Sequence, residues 1–228
     1  MALSQLEPQL IWKNFSALNT VPRPSKKEEK VIEFIKNFGE NLGLETTVDE
    51  VGNVIIKKPA TAGMEDRKSV VLQSHLDMVH QKNNDVNFDF DTQGIQMEID
   101  GDWVKAKGTT LGADNGLGVA AIMSILESND IPHPALEALF TIDEETGMTG
   151  AMGLKPGQLN GEILLNLDTE EDDEIDIGCA GGIDVTATQN YGLEDARGQI
   201  VKIEVKGLQG GHSGMDIIKG FGNSNVIL

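Results

Sequence analysis

A single cysteine, Cys179, leaves no internal disulfide available to this chain and fits a reducing compartment. It is also poorly placed as a nucleophile. It sits in GCAGG with no basic neighbour, and a small buried residue is the expectation. Positive charge is scarce. Lys and Arg number 18 against 37 Asp and Glu, a formal net charge of -19, so neither nucleic acid nor an anionic membrane is expected as a main partner. No apolar run approaches membrane-spanning length, and the N-terminus lacks the charged-then-apolar pattern of a secretory leader, so the expected location is the cytoplasm. Several catalytic and binding motifs are missing too. There is no Gly-x-Ser-x-Gly elbow, no Cys–His pairing and no phosphate loop of the GxxxxGK[ST] kind. The acidic run from Asp168 to Asp176 lacks the alternation and central glycine of an EF-hand loop, and its middle reads as a solvated acidic loop.

What is present alternates between strands and helices. Leu6, Leu10, Ile11, Phe15 and Leu18 recur at helical spacing over residues 3–18, and VPRPS (Val21 to Ser25) stops that helix. A second helix is predicted over 26–42, ending at Gly43. Strands are predicted over 44–49, 53–57, 70–75, 136–142 and 163–167. A hairpin pairs 95–99 with 103–106 across Asp100-Gly101, and a helix covers 117–126. This order implies an α/β sandwich with a mostly parallel sheet. The glycines of GCAGG (178–182) look like a hinge or domain boundary, dividing a first domain over 1–181 from a second over 182–228. Alternating segments over 183–188 and 200–205 read as strands of that second domain.

The strand SVVLQSH and its exit organise the rest. Its end puts His75 two residues from Asp77, a spacing that suits an imidazole ligand oriented by a carboxylate, and equally a capped strand end. Three more acidic groups follow: Asp114 in GADNG, Glu144 and Glu145 after LEALFTID, and Asp168 after EILLNL. Ligands of open α/β sheets bind outside the carboxyl ends of the strands, so these groups converge. One imidazole with several carboxylates suits zinc or manganese. A shared carboxylate can hold two ions ~3.5–4 Å apart, and such a pair lowers the pKa of a water between them from 15.7 to roughly 7. Glu144 and Glu145 can then divide metal binding from general base catalysis. Of the other histidines, His80 and His133 read as surface and loop residues, whereas His212, in GGHSG, has an unusually free backbone and is a functional candidate.

SHLDMV, TTLGADNGLG, TIDEETGMTGA, LLNLDTEE, GCAGGID and GGHSGMDI together resemble the aminoacyl-histidine dipeptidase branch, also called cytosolic non-specific dipeptidase, of the co-catalytic zinc exopeptidases. The resemblance implies the zinc-exopeptidase α/β/α sandwich, followed by the start of an α+β lid through which the family dimerises. It implies two Zn2+ ions, with Mn2+ or Co2+ as substitutes. His75 and Asp168 would hold one ion, Glu145 the other, and Asp114 would bridge them across a cis Asp114–Asn115 peptide. Asp77 would orient His75, Glu144 would act as general base, and His212 would reach a partner subunit's site to stabilise the oxyanion. The expected reaction is hydrolysis of unblocked dipeptides, Xaa-His among them, by a homodimer. The family takes its last zinc ligand, a histidine, from a segment that this sequence does not reach. The expectation is therefore a fragment of a longer protein or a truncated product, with an incomplete second zinc site in either case, and an inactive metal-binding or interaction fragment is one alternative function. A related N-acyl amino acid amidohydrolase is another, which ADNG and GCAGG disfavour.

Overall fold

In the computed structural model, residues 3–169, 173–179, 181, 183, 185–195, 197–211 and 216–228 are described. A short 3-10 turn, Leu3–Gln5, precedes helix α1, Gln9–Leu18. The apolar period runs through residue 8, but the helix begins only after it. Pro8 has no N–H, and it restricts the residue before it. Helix α2, Glu29–Asn41, buries Val31, Ile35 and Gly39, which lie four apart on one face. Next come β1 (Glu45–Val48), β2 (Val54–Lys58) and β3 (Val70–His75). The hairpin strands β4 (Met97–Asp100) and β5 (Trp103–Ala106) pair only with each other. Helix α3, Ala113–Glu127, leads to β6 (Leu136–Thr141), the short helices α4 (Glu144–Gly147) and α5 (Thr149–Gly153), and β7 (Ile163–Asn166).

The main sheet has the order β1-β2-β6-β3-β7. β3 runs parallel to both β6 and β7, while β2 is antiparallel to β1 and β6. The expected α/β architecture is present with a mixed sheet, and its parallel half carries the candidate site. Alternation along the strands separates two cores. Val54, Ile56, Leu72, Ala138 and Phe140 face α2 and α3, whereas Ile55, Val71 and Leu139 face Leu154 and Leu159 on the other side. Burying a side chain such as Phe140 or Ile56, both at 0% exposure, contributes about 1.5–3 kcal/mol. Truncating Ile56 to Ala would cost about 2–5 kcal/mol, because the space would not refill. β7, by contrast, is an edge strand with all four residues exposed.

Contacts divide the chain into two units, Met1–Ile175 and Asp176–Leu228. In the second, a 3-10 turn (Ile217–Lys219) and a helix α6 (Ser224–Ile227) are formed. The strands expected over 183–188 and 200–205 are not formed among the described residues. Ile183, Val185, Ile200, Val201 and Ile203 are exposed. An alternating segment becomes a strand only when a neighbour takes its N–H and C=O groups. Cys179, expected to be buried, is exposed, since nothing described packs over its glycine-rich stretch. Among the described residues, no helix is long and apolar enough to cross a membrane.

Candidate metal centre

β3 lies between β6 and β7, and the carboxyl ends of all three strands open on one side. This is where the order of an α/β sheet reverses and leaves a crevice. His75 is the last residue of β3, Glu144 and Glu145 open α4 just beyond β6, and Asp168 follows β7. Asp114 enters from the head of α3, where its φ/ψ and those of Asn115 are not helical and the Asp114–Asn115 peptide is cis. Asn115, 2% exposed, is pinned there. It accepts a hydrogen bond from Ser74 Oγ at 2.8 Å and donates to the Leu167 carbonyl at 3.0 Å.

His75 is the centre of the cluster. Its Nε2 is 3.0 Å from Asp114 Oδ1, 3.7 Å from Asp168 Oδ2 and 3.8 Å from Glu144 Oε2. On the other side its Nδ1 meets the Asp77 carbonyl at 3.1 Å and Asp77 Oδ1 at 3.3 Å. Among the described residues, two groups that include His75 have the proximity a cation needs: His75 with Asp114 and Glu145, and His75 with Glu144 and Asp168. A neutral imidazole with carboxylate oxygens is a donor set that zinc accepts, so the residues fit the implied group. The grouping also puts Glu144 beside Asp168 rather than apart from the ligands. Asp77, 0% exposed, accepts N–H bonds from Glu144 at 3.0 Å and Glu145 at 3.2 Å, and the Ser25 hydroxyl at 2.8 Å. One carboxylate thus holds both the imidazole and the tandem glutamates in place.

Burial would lower the pKa of His75, but hydrogen bonds to Asp114 and Asp77 and the charges of Asp77 and Asp168 outweigh it and hold it at about 10. Burial pushes Glu144, Glu145 and Asp168 up, helped by the neighbouring carboxylates and opposed by His75. Asp77 goes the other way. Burial would raise it, yet its hydrogen bonds to His75, Glu144 and Ser25 prevail and lower it.

The structure therefore brings together His75, Asp77, Asp114, Glu144, Glu145 and Asp168, all expected at the site from sequence. His212 lies outside the described residues. His80 is exposed against Phe90, and His133 is buried with Nδ1 at the Pro134 carbonyl. Sequence reasoning missed the stretch after α1. By its pattern VPRPS reads only as a helix stop, but Arg23 and Ser25 reach under the site. Glu28 accepts the Asp143 N–H at 3.2 Å, and Glu28, Asp77 and Asp143 form a buried acidic cluster beneath α4. Three polar side chains within six residues of a helix stop were the available signal.

No protein-family model matches the chain. The cytosol non-specific dipeptidase of Escherichia coli K12 is 50% identical to it over 99% of this chain and 47% of that protein. The crystal structure of aminoacylhistidine dipeptidase from Vibrio alginolyticus is 47% identical with a TM-score of 0.79, covering 99% of this chain and 46% of that one. A tripeptidase from Staphylococcus aureus, 23% identical with a TM-score of 0.62 over 73% of this chain and 45% of that one, shares the fold. The chain spans about half the length of the relatives it matches. Over 99% of its length the chain is thus similar to about half of a cytosol non-specific dipeptidase and about half of an aminoacylhistidine dipeptidase.

Proposed function

We propose that this chain carries the metal-binding and proton-transfer residues of a metallo-dipeptidase that hydrolyses unblocked dipeptides, Xaa-His among them. The observation that supports this most is the meeting of His75, Asp114, Glu144, Glu145 and Asp168 at the ends of three parallel strands. In this reading His75 and Asp168 with Asp114 would hold one ion and Glu145 with Asp114 the other, with zinc favoured and manganese or cobalt as substitutes. Two divalent ions, when bound, supply Lewis acidity that acidifies water and polarises the scissile carbonyl.

The chain's own groups do the rest. Asp77 fixes the imidazole so that Nε2 faces Asp114 and Asp168. Glu144, part-exposed and shifted up by burial, takes the proton of the attacking water and delivers it to the leaving amine. His212, from the lid domain proposed for 182–228, stabilises the oxyanion in a homodimer. The proposed location is the cytoplasm, and the E. coli relative is named as cytosolic.

The test is a chimera in which this chain replaces the matching part of the E. coli dipeptidase. It should hydrolyse Ala-His, Gly-Gly or β-alanyl-histidine in the presence of zinc or manganese, and the same chimera with Glu144→Gln should not. A folded, zinc-loaded chimera that leaves all three dipeptides intact would remove the dipeptidase reading.

A further inference from the structure

We propose that Arg23 is a positioning residue of this centre: one buried guanidinium ties the exit of β3 to the entry of α3, and so sets where His75 stands relative to Asp114. The inference rests on the metal-centre reading above. Arg23 is 1% exposed. Its Nη1 donates to the carbonyls of Leu76 at 3.1 Å and Asp77 at 3.2 Å, the two residues that follow His75. Its Nη2 donates to the carbonyl of Gly112 at 2.5 Å, two residues ahead of Asp114, and to Asn19 Oδ1 at 3.2 Å. Asn19 adds a second tie to the same loop through Nδ2 and the Leu111 carbonyl at 3.3 Å. The two ligand-bearing segments are thus joined through one planar fork, and His75 Nε2 and Asp114 Oδ1 sit 3.0 Å apart above it.

The glycines of GADNG independently indicate a place made for this group. Gly112 has φ +69, in the left-handed region that favours glycine, and a Cβ there would fall on Arg23 Nη2. A Cβ on Gly116 would lie 2.6 Å from the same nitrogen. Both positions leave the space that the guanidinium fills. Nothing in this arrangement is cheap for stability alone. The charge is buried, its Nε has no hydrogen-bond partner among the described residues, and burial lowers its pKa to about 10 against the opposing pull of Asp77, Asp114 and Glu145. A lysine would keep the charge but could not span the four acceptors, because an ammonium is a point donor rather than a fork.

The test compares Arg23→Lys with wild type by zinc competition against a chromophoric chelator, by the visible spectrum of the cobalt-loaded chain, and by urea unfolding of the metal-free chain. The expected result is zinc binding weaker by about 10–100-fold at equal fraction folded, with altered cobalt bands. Asn19→Ala, a milder change to the same fork, should shift both readouts in the same direction and serves if Arg23→Lys does not fold. Wild-type zinc affinity in the folded variant, or a loss that follows the unfolded fraction alone, would overturn the role of Arg23. A wild-type chain that takes up no zinc would overturn the metal-centre reading itself, and this one with it.

Discussion

Replacing Asp77 with asparagine tests the claim that one buried carboxylate holds the imidazole and the tandem glutamates together. Each of its oxygens faces two donors. Oδ1 accepts the Glu144 N–H at 3.0 Å and lies 3.3 Å from His75 Nδ1, while Oδ2 accepts the Glu145 N–H at 3.2 Å and the Ser25 hydroxyl at 2.8 Å. The amide NH2 must replace one of these oxygens, and it then points at a backbone N–H. At 0% exposure no water relieves the clash of donors. The milder orientation puts NH2 near Ser25, whose hydroxyl can turn to accept. Hydrogen bonds to a charged group contribute about 1.5–3 kcal/mol, and a buried unsatisfied donor costs about 1–3 kcal/mol. Asp77→Asn should therefore destabilise the metal-free chain by about 2–4 kcal/mol at neutral pH. The pH dependence follows from the lowered pKa of Asp77. The wild-type contribution is present above the unfolded value of about 3.9 and disappears as pH falls through the lower folded value, so the two proteins should converge in acid. Urea unfolding across pH gives the stability, and chelator competition should show zinc binding about 10–100-fold weaker. Stability within about 0.5 kcal/mol of wild type together with unchanged zinc affinity would refute the reasoning.

Other perturbations separate the roles within the cluster. Glu144→Gln should retain zinc, as read by metal analysis, while lowering dipeptide turnover in the chimera by about 10²–10⁴-fold, since only the proton-transfer group is lost. A milder loss would count against Glu144 as the base. Zinc uptake should release a proton from His75, held at about 10, so affinity should rise by about tenfold per pH unit below that value. Calorimetry in buffers of different ionisation enthalpy would detect that proton. In the metal-free chain the same raised pKa has the opposite consequence for stability. The contribution of His75 is complete below about 6.5 and is lost as pH rises through about 10, which urea midpoints across that window would register.

Much of this was legible in the sequence because strand ends are marked twice, by the close of an apolar run and by the polar group that follows it. Val70 to Leu72 before His75, and Ile163 to Leu165 before Asp168, gave both the strands and the side on which their acids emerge. The break at the head of α3 followed from the resemblance around GADNG rather than from periodicity. Antiparallel β2 was not legible, because strand direction depends on which neighbour is met and not on local pattern. Ser25, Glu28 and Arg23 were missed for a related reason. They lie far from His75 in sequence, and a polar side chain under a site looks like any loop residue until its distant partners are known. Segments over 183–188 and 200–205 show the converse failure, since alternation was read as strand where no described neighbour pairs with it.

The most direct measurement is zinc content after equilibrium dialysis at neutral pH, for the wild-type chain beside Asp114→Ala. Asp114 is 3.0 Å from His75 Nε2 and shares a candidate ligand group with His75 and Glu145, so it stands at the centre of the proposed site. The account predicts that the wild-type chain retains zinc and that Asp114→Ala, still folded, loses most of it. A wild-type chain with no zinc above the buffer level, or a folded Asp114→Ala chain with undiminished zinc, would contradict it.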